Sequence, residues 1–184
     1  MAILPDQSGP NPHLLVQAGK SGTILVVNRD SMGHFNSSSD NIVQEIQALG
    51  SMYSSPVYFN GEVYFWADSD VVKAFTVTNG MLSTSPTDSG SVVFGFPGAT
   101  PTISANGTSN AILWALEEDT YKSGGSAVLY AYDPSKLSAG FLYNSNQNSS
   151  RDNPGGAIKF AVPTVANGKV YVGAEGQLSV FGLL

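Results

Sequence analysis

The chain has 184 residues, of which only 12% are charged, and 14 acidic side chains against eight scattered lysines and arginines leave a net charge of −6. That balance excludes a basic surface for nucleic acid or anionic lipid. The lack of cysteine excludes disulfides, thiol catalysis and cysteine-held metal, and no run of about 18 apolar residues is present to span a membrane as a helix.

The length suits one domain, and 20 glycines and 10 prolines amid many Ser, Asn and Thr indicate short strands joined by turns. Residues 1–5 are expected to open a first unit with a short strand, and residues 13–28 (HLLVQAGKSGTILVVN) to supply its second and third. The stretch from Gly19 to Gly22 contains Gly-Lys-Ser but lacks the preceding glycine and following helix of a phosphate loop, so it reads as a hairpin turn. His34 ends the run 29–34 (RDSMGH), where it and Asp30 make a candidate general base and partner carboxylate, against the plainer reading of a loop. His13 starts a strand, and two histidines cannot supply a three-histidine metal site within one chain. Residues 40–49 are expected to form a short helix, with Asp40 as its cap and Ile42, Ile46 and Leu49 on one face.

From residue 56 a phrase recurs: PVYFNG at 56–61, PTISANG at 101–107 and PTVANG at 163–168. Each reads as a strand opened by proline, which donates no ladder hydrogen bond, and closed by Asn-Gly, the pair preferred where a two-residue hairpin needs positive φ. A second strand follows each phrase (62–66, 110–115, 169–173) and then a third (71–75, 127–132, 177–181), rich in β-branched and aromatic residues. A fourth, outer strand is weaker, 141–143 being the clearest example. Three or four antiparallel strands per unit make one propeller blade, which divides the chain at roughly 1–50, 51–95, 96–156 and 157–184. The phrases are spaced 45 and then 62 residues apart, the excess falling in polar stretches 117–126 and 144–156 that read as loops. Tyr58, Tyr64, Trp66, Trp114, Tyr130, Tyr132 and Tyr171 fall on the strands and read as blade-to-blade packing, with Trp66 or Trp114 also available to line a groove.

Asp68 and Asp70 lie two residues apart, a spacing that on an extended loop points both carboxylates one way and suits a hard cation, although Asp and Ser are equally at home in a solvated turn. Glu117, Glu118 and Asp119 offer a second acidic group that otherwise reads as a solvated loop tip. Asp68, Asp70, Asn110 and Glu117 are the candidate Ca²⁺ ligands. No Gly-x-Ser-x-Gly elbow is seated between a strand and a helix.

The phrases at 100–110 (TPTISANGTSN), 129–133 (LYAYD) and 151–173, with the ending VFGLL, resemble the C-terminal part of bacterial pyrroloquinoline-quinone-like propeller repeat proteins, and the resemblance covers nearly the whole chain. It implies an all-β fold, a partial β-propeller of about four blades. Many such proteins are exported, which would imply a periplasmic or extracellular location, although this chain shows no signal peptide pattern. True quinoprotein dehydrogenases resemble a ring whose blades carry Ala-x-Asp-x-x-Thr-Gly-x-x-x-Trp, with quinone and Ca²⁺ over the channel. Here 76–82 (TVTNGML) and 132–136 (YDPSK) stand at that place, with Leu82 and Leu142-Tyr143 near the expected tryptophan, so bound pyrroloquinoline quinone is not expected.

The chain opens within a first strand and ends after a third, so four blades are expected to leave unpaired edges and a bare apolar face at each terminal blade, completed by a second copy in a homodimer. The leading expectation is a scaffold that presents a loop face to a small molecule or protein. The enzymatic alternative is a lactonase-type hydrolase, in which Ca²⁺ polarises a lactone carbonyl and activates water.

Overall fold

The computed structural model describes residues 1–182; Leu183 and Leu184, part of the family-like ending, lie outside the described residues. The fold is all-β, with four separate antiparallel sheets, none of them closed. Sheet 1 runs in order β1 (Ala2–Ile3), β2 (Leu14–Ala18), β3 (Thr23–Asn28) and β4 (Ile42–Gln47). Sheet 2 holds β5 (Val57–Phe59), β6 (Glu62–Trp66) and β7 (Val72–Thr78), whose outer edge is shared by two short pieces, β8 (Met81–Leu82) and β9 (Asp88–Ser89). Sheet 3 runs through β10 (Thr102–Asn106), β11 (Ser109–Glu117), β12 (Val128–Tyr132) and β13 (Phe141–Asn144). Sheet 4 has three described strands, β14 (Thr164–Ala166), β15 (Lys169–Ala174) and β16 (Gln177–Phe181).

The recurring phrase does the local work expected of it at two of its three positions. Asn60-Gly61 and Asn167-Gly168 have φ of 47° and 86°, and 49° and 71°, and each pair closes a two-residue hairpin, Phe59 facing Glu62 and Ala166 facing Lys169. The middle phrase is one residue longer, and its hairpin differs. Asn106 faces Ser109, the turn moves on to Gly107-Thr108, and the surplus residue is absorbed as a bulge between Ser104 and Asn106.

Within residues 40–49 the chain forms a strand, Ile42–Gln47, and not a helix. β4 pairs along β3, Ile24 facing Ile46, and the β-branched Ile42, Val43 and Ile46 suit a pleated, half-buried surface better than a helical turn. Asp40 still caps locally, its Oδ1 accepting from the Ile42 amide at 3.1 Å, but the cap opens a strand. The polar stretches 117–126 and 144–156 carry short helical turns at Asp119–Lys122, Ser145–Asn148 and Ser149–Asp152.

Strict alternation along the second strands stacks the sheets. On β6, Val63 and Phe65 face sheet 1, where they join Leu14, Val16, Ile24 and Val26, while Tyr64 and Trp66 face sheet 3. On β11, Leu113 and Ala115 return to sheet 2, while Trp114 and Leu116 face Val170 and Val172 of sheet 4. Each step of two residues feeds one core and the residue between feeds the next. The middle core is the most aromatic: Trp66 stacks on Phe94 at 3.8 Å and meets Tyr132 edge-on at 5.7 Å, its Nε1–H donating to the Asp70 carbonyl at 3.1 Å.

The two terminal sheets each leave one face bare. Register places the exposed Ile3, the half-buried Leu25 and Val27 and the buried Leu15 on the outer face of sheet 1 and Tyr171, Leu178 and Val180 on that of sheet 4. Ile3 is 59% exposed and Leu178 64%.

Candidate functional site

The turns joining second to third strands, together with the segments leading into each next sheet, gather at one end of the stack, opposite the Asn-Gly hairpins. Residues 94–99 are fixed there by the turn after β6: the Phe94 amide donates to the Asp70 carbonyl at 3.1 Å and the Ala99 amide to the Trp66 carbonyl at 3.2 Å. Gly98, with φ of 77°, makes this approach possible, since a Cβ would lie 2.5 Å from the Trp66 oxygen.

Asp68 and Asp70 occupy that same turn, but neither is poised for a cation. Asp70 Oδ2 pairs with Lys73 Nζ at 2.6 Å and its Oδ1 accepts from the Val71 amide, while Asp68 accepts from the Ser69 hydroxyl. Asn110 and Glu117 stand near opposite ends of the nine-residue β11, about 20 Å apart at the usual strand rise. The four candidate Ca²⁺ ligands are therefore not brought together, and among the described residues no group of three His, Asp or Glu side chains is placed to hold a metal.

The histidine pairing also differs from expectation. Asp30 is taken by His13, with Nδ1 to Oδ2 at 2.7 Å, and Asp6 stands 3.8 Å from the other ring nitrogen. His34 sits apart on an exposed loop with φ of 56°. The register of β2 on β3 explains the exchange: Leu14 faces Asn28, so His13 lies against the residues just past β3, and the Arg29 amide donates to the His13 carbonyl.

The acidic run contains the residue that the sequence reading missed. Glu118 is only 2% exposed, because it continues the alternation of Trp114 and Leu116 toward sheet 4. Its Oε2 accepts from the Phe160 amide at 2.8 Å, and Oε1 is buried without a partner. Burial lifts its carboxyl to about 7 against the lowering pull of the Phe160 and Ala161 amides. Burial, then the charge of Asp119, raise Glu117 in the same direction. Phe160, held by this bond, adopts a left-handed conformation, φ 68°, and the residue is 55% exposed. A bulky aromatic residue rarely adopts that conformation.

Phe160 belongs to a group of rings at this end. Phe96 lies 4.8 Å from Tyr53, 6.2 Å from Tyr121 and 6.3 Å from Phe160, centroid to centroid. Lys20 stands over Tyr53, Lys122 over Tyr121, and Lys159 over both Tyr121 and Phe160, at 5.1–5.9 Å. None of these three lysines has a carboxylate within ion-pair distance among the described residues.

Two clefts open elsewhere. One of about 810 Å³ lies between sheets 3 and 4 beside β16, lined by Ile112, Trp114, Tyr143, Val170 and Phe181. The Trp114 indole donates to Ser104 Oγ at its wall. A second, of about 550 Å³, separates sheets 2 and 3 at the hairpin end, with Glu62, Asp88 and Lys136 on its rim. The carboxylates of this cleft are already engaged, Glu62 by Thr76 and Thr87 and Asp88 by the Ser89 and Ser138 amides.

Compared with known protein families and with curated proteins, the chain matches no family model and no curated sequence.

Proposed function

We propose that the chain is a binding module of the quinoprotein-like propeller type without a clear quinone site, four blades that two copies complete into one ring with a loop face as the working surface. The observation that carries this reading is the repetition of one sheet-on-sheet junction three times, ending at each side in a bare apolar face. The outer face of sheet 4 is equivalent to the faces of sheets 1–3 that a following sheet covers. The outer face of sheet 1 is equivalent to those that a preceding sheet covers. A junction of sheet 4 on sheet 1 of a second copy would therefore repeat the contact already made three times within the chain. The segment 76–82, where a quinone-binding ring would carry its docking tryptophan, forms parts of β7 and β8 around an Asn79-Gly80 turn, with Leu82 buried in the first core.

Sedimentation of the purified chain tests this. The expected species has twice the mass of the 19.2 kDa chain, and Val180→Glu, which puts a charge on the bare face of sheet 4, converts it to monomer. A wild-type monomer at every concentration, or a ladder of open polymers, overturns the closed pair.

A further inference from the structure

We infer that the outer edge of β16 takes up an extended peptide from a protein partner as a fourth strand of sheet 4, with one large apolar side chain seated in the cleft between sheets 3 and 4. This surface is separate from the ring junction and its loop face: edge and cleft lie within one chain and need no second copy.

Sheet 4 differs from the other three at its outer edge. In sheets 1, 2 and 3 the third strand is paired on its outer side, β3 by β4, β7 by β8 and β9, and β12 by β13. Among the described residues β16 is paired by β15 alone, so a row of its backbone N–H and C=O groups faces outward without a ladder partner. Such an edge is a template for a further strand, which gains affinity through main-chain hydrogen bonds and specificity through the pockets that receive alternate side chains.

The seams between sheets define the side chain that the incoming strand needs. The outer strands of sheets 2 and 3 each turn one apolar residue toward the preceding sheet: Leu82 of β8 is buried in the first core, and Phe141 of β13 meets Tyr130 and Tyr132 edge-on, at 5.3 and 6.3 Å. At the third seam no outer strand supplies such a residue among the described residues, and the cleft of about 810 Å³ lined by Trp114, Tyr143, Ser179 and Phe181 lies there. Register makes the two places equivalent. Leu113 faces Tyr132 in sheet 3 as Val170 faces Phe181 in sheet 4, so Ser179 stands where sheet 3 has Tyr130. A hydroxymethyl group in place of a phenol ring leaves space for a larger incoming side chain. Of the charged lining residues, Arg151 and Asp152 are closed on each other, with Asp152 also accepting from the Tyr143 hydroxyl at 2.7 Å, and Lys169 is exposed. The walls therefore select an aromatic or long aliphatic group.

The probe is the capped peptide GFLYNS, copied from residues 140–145, because β13 within that segment already serves as an outer strand. Calorimetry with the whole chain is expected to show saturable binding, and the amides of 177–181 are expected to slow their hydrogen exchange at least tenfold when the peptide is added. Replacing the peptide phenylalanine by alanine is expected to weaken binding at least tenfold. Of two peptides N-methylated at alternate amides, the one blocked on the pairing side is expected to lose binding and the other to keep it. Equal binding of the two methylated peptides, full affinity of the alanine peptide, or protection falling on another strand overturns the proposal. Protection of 177–181 that is present without peptide and vanishes on dilution assigns the edge to a second copy and overturns it too. Ile3→Glu, which charges the bare face of sheet 1 at the other end of the stack, is expected to block the ring and keep peptide affinity. Lost affinity in that variant would tie the site to a second copy and overturn it, whereas retained affinity in a chain that never dimerises sinks only the ring.

Discussion

The two middle sheets and the two terminal sheets repeat one antiparallel strand order, yet they stand in different physical situations. β6 and β11 bury both faces, so Trp66, Phe65, Leu113 and Leu116 are removed from water almost completely. β15 buries Val170, Val172 and Ala174 on one face only, and on the other face of the sheet Leu178 and Val180 of the neighbouring β16 stay half or more exposed. Neighbours, more than strand chemistry, therefore set what each residue contributes, as expected where stability is a sum of nearest-neighbour junctions.

Three substitutions sharpen that contrast. The largest effect is expected from Trp66→Ala, which empties the centre of the middle core and removes the indole bond to the Asp70 carbonyl. A loss of about 3–5 kcal/mol in urea unfolding is the usual cost of such a truncation. A loss below about 1 kcal/mol would mean that sheets 2 and 3 are not packed as described.

Glu118 comes next, at the seam of sheets 3 and 4. Its folded pKa of about 7 lies above the ordinary 4.5, so between those values the folded chain holds a proton that the unfolded chain has released. Stability contributed by this group is full at low pH and declines as pH rises through that window. The wild-type chain is expected to lose on the order of 2 kcal/mol between about pH 5 and pH 8. Glu118→Gln removes most of that slope, leaving the smaller part that Glu117 carries in the same direction. An unchanged slope in Glu118→Gln would place the titration elsewhere.

The smallest effect belongs to the bare face. Val180→Ser in dilute, dissociated protein is expected to change unfolding free energy by no more than about 0.5 kcal/mol, while weakening self-association measured at higher concentration. A large loss in dilute protein would mean that this face is already covered within the chain.

The first hairpins of sheets 2 and 4 were legible in the sequence because a proline opening and an Asn-Gly closing act over a few residues. The one-residue surplus of PTISANG was visible too, and it became the bulge at Ser104. The helix expected at 40–49 shows where that reading fails: Ile42, Ile46 and Leu49 fit a helical face by spacing, but pairing with β3 overrode the pattern.

Site residues were harder to see because their partners are distant. Glu118 sits among three adjacent acids that suggest solvent, although the alternation of Trp114 and Leu116 already pointed it inward. Its amide partner is 42 residues away at Phe160, in a segment with no local signature. The same holds for Asp30, whose partner His13 is recovered only when β2 and β3 are laid in register.

The most direct test of the account is electron microscopy of the assembled particle. Class averages are expected to show a closed ring of eight radial spokes with two-fold symmetry, four from each copy. Averages showing an open arc, a filament, or two separate bodies touching at any other surface would contradict it.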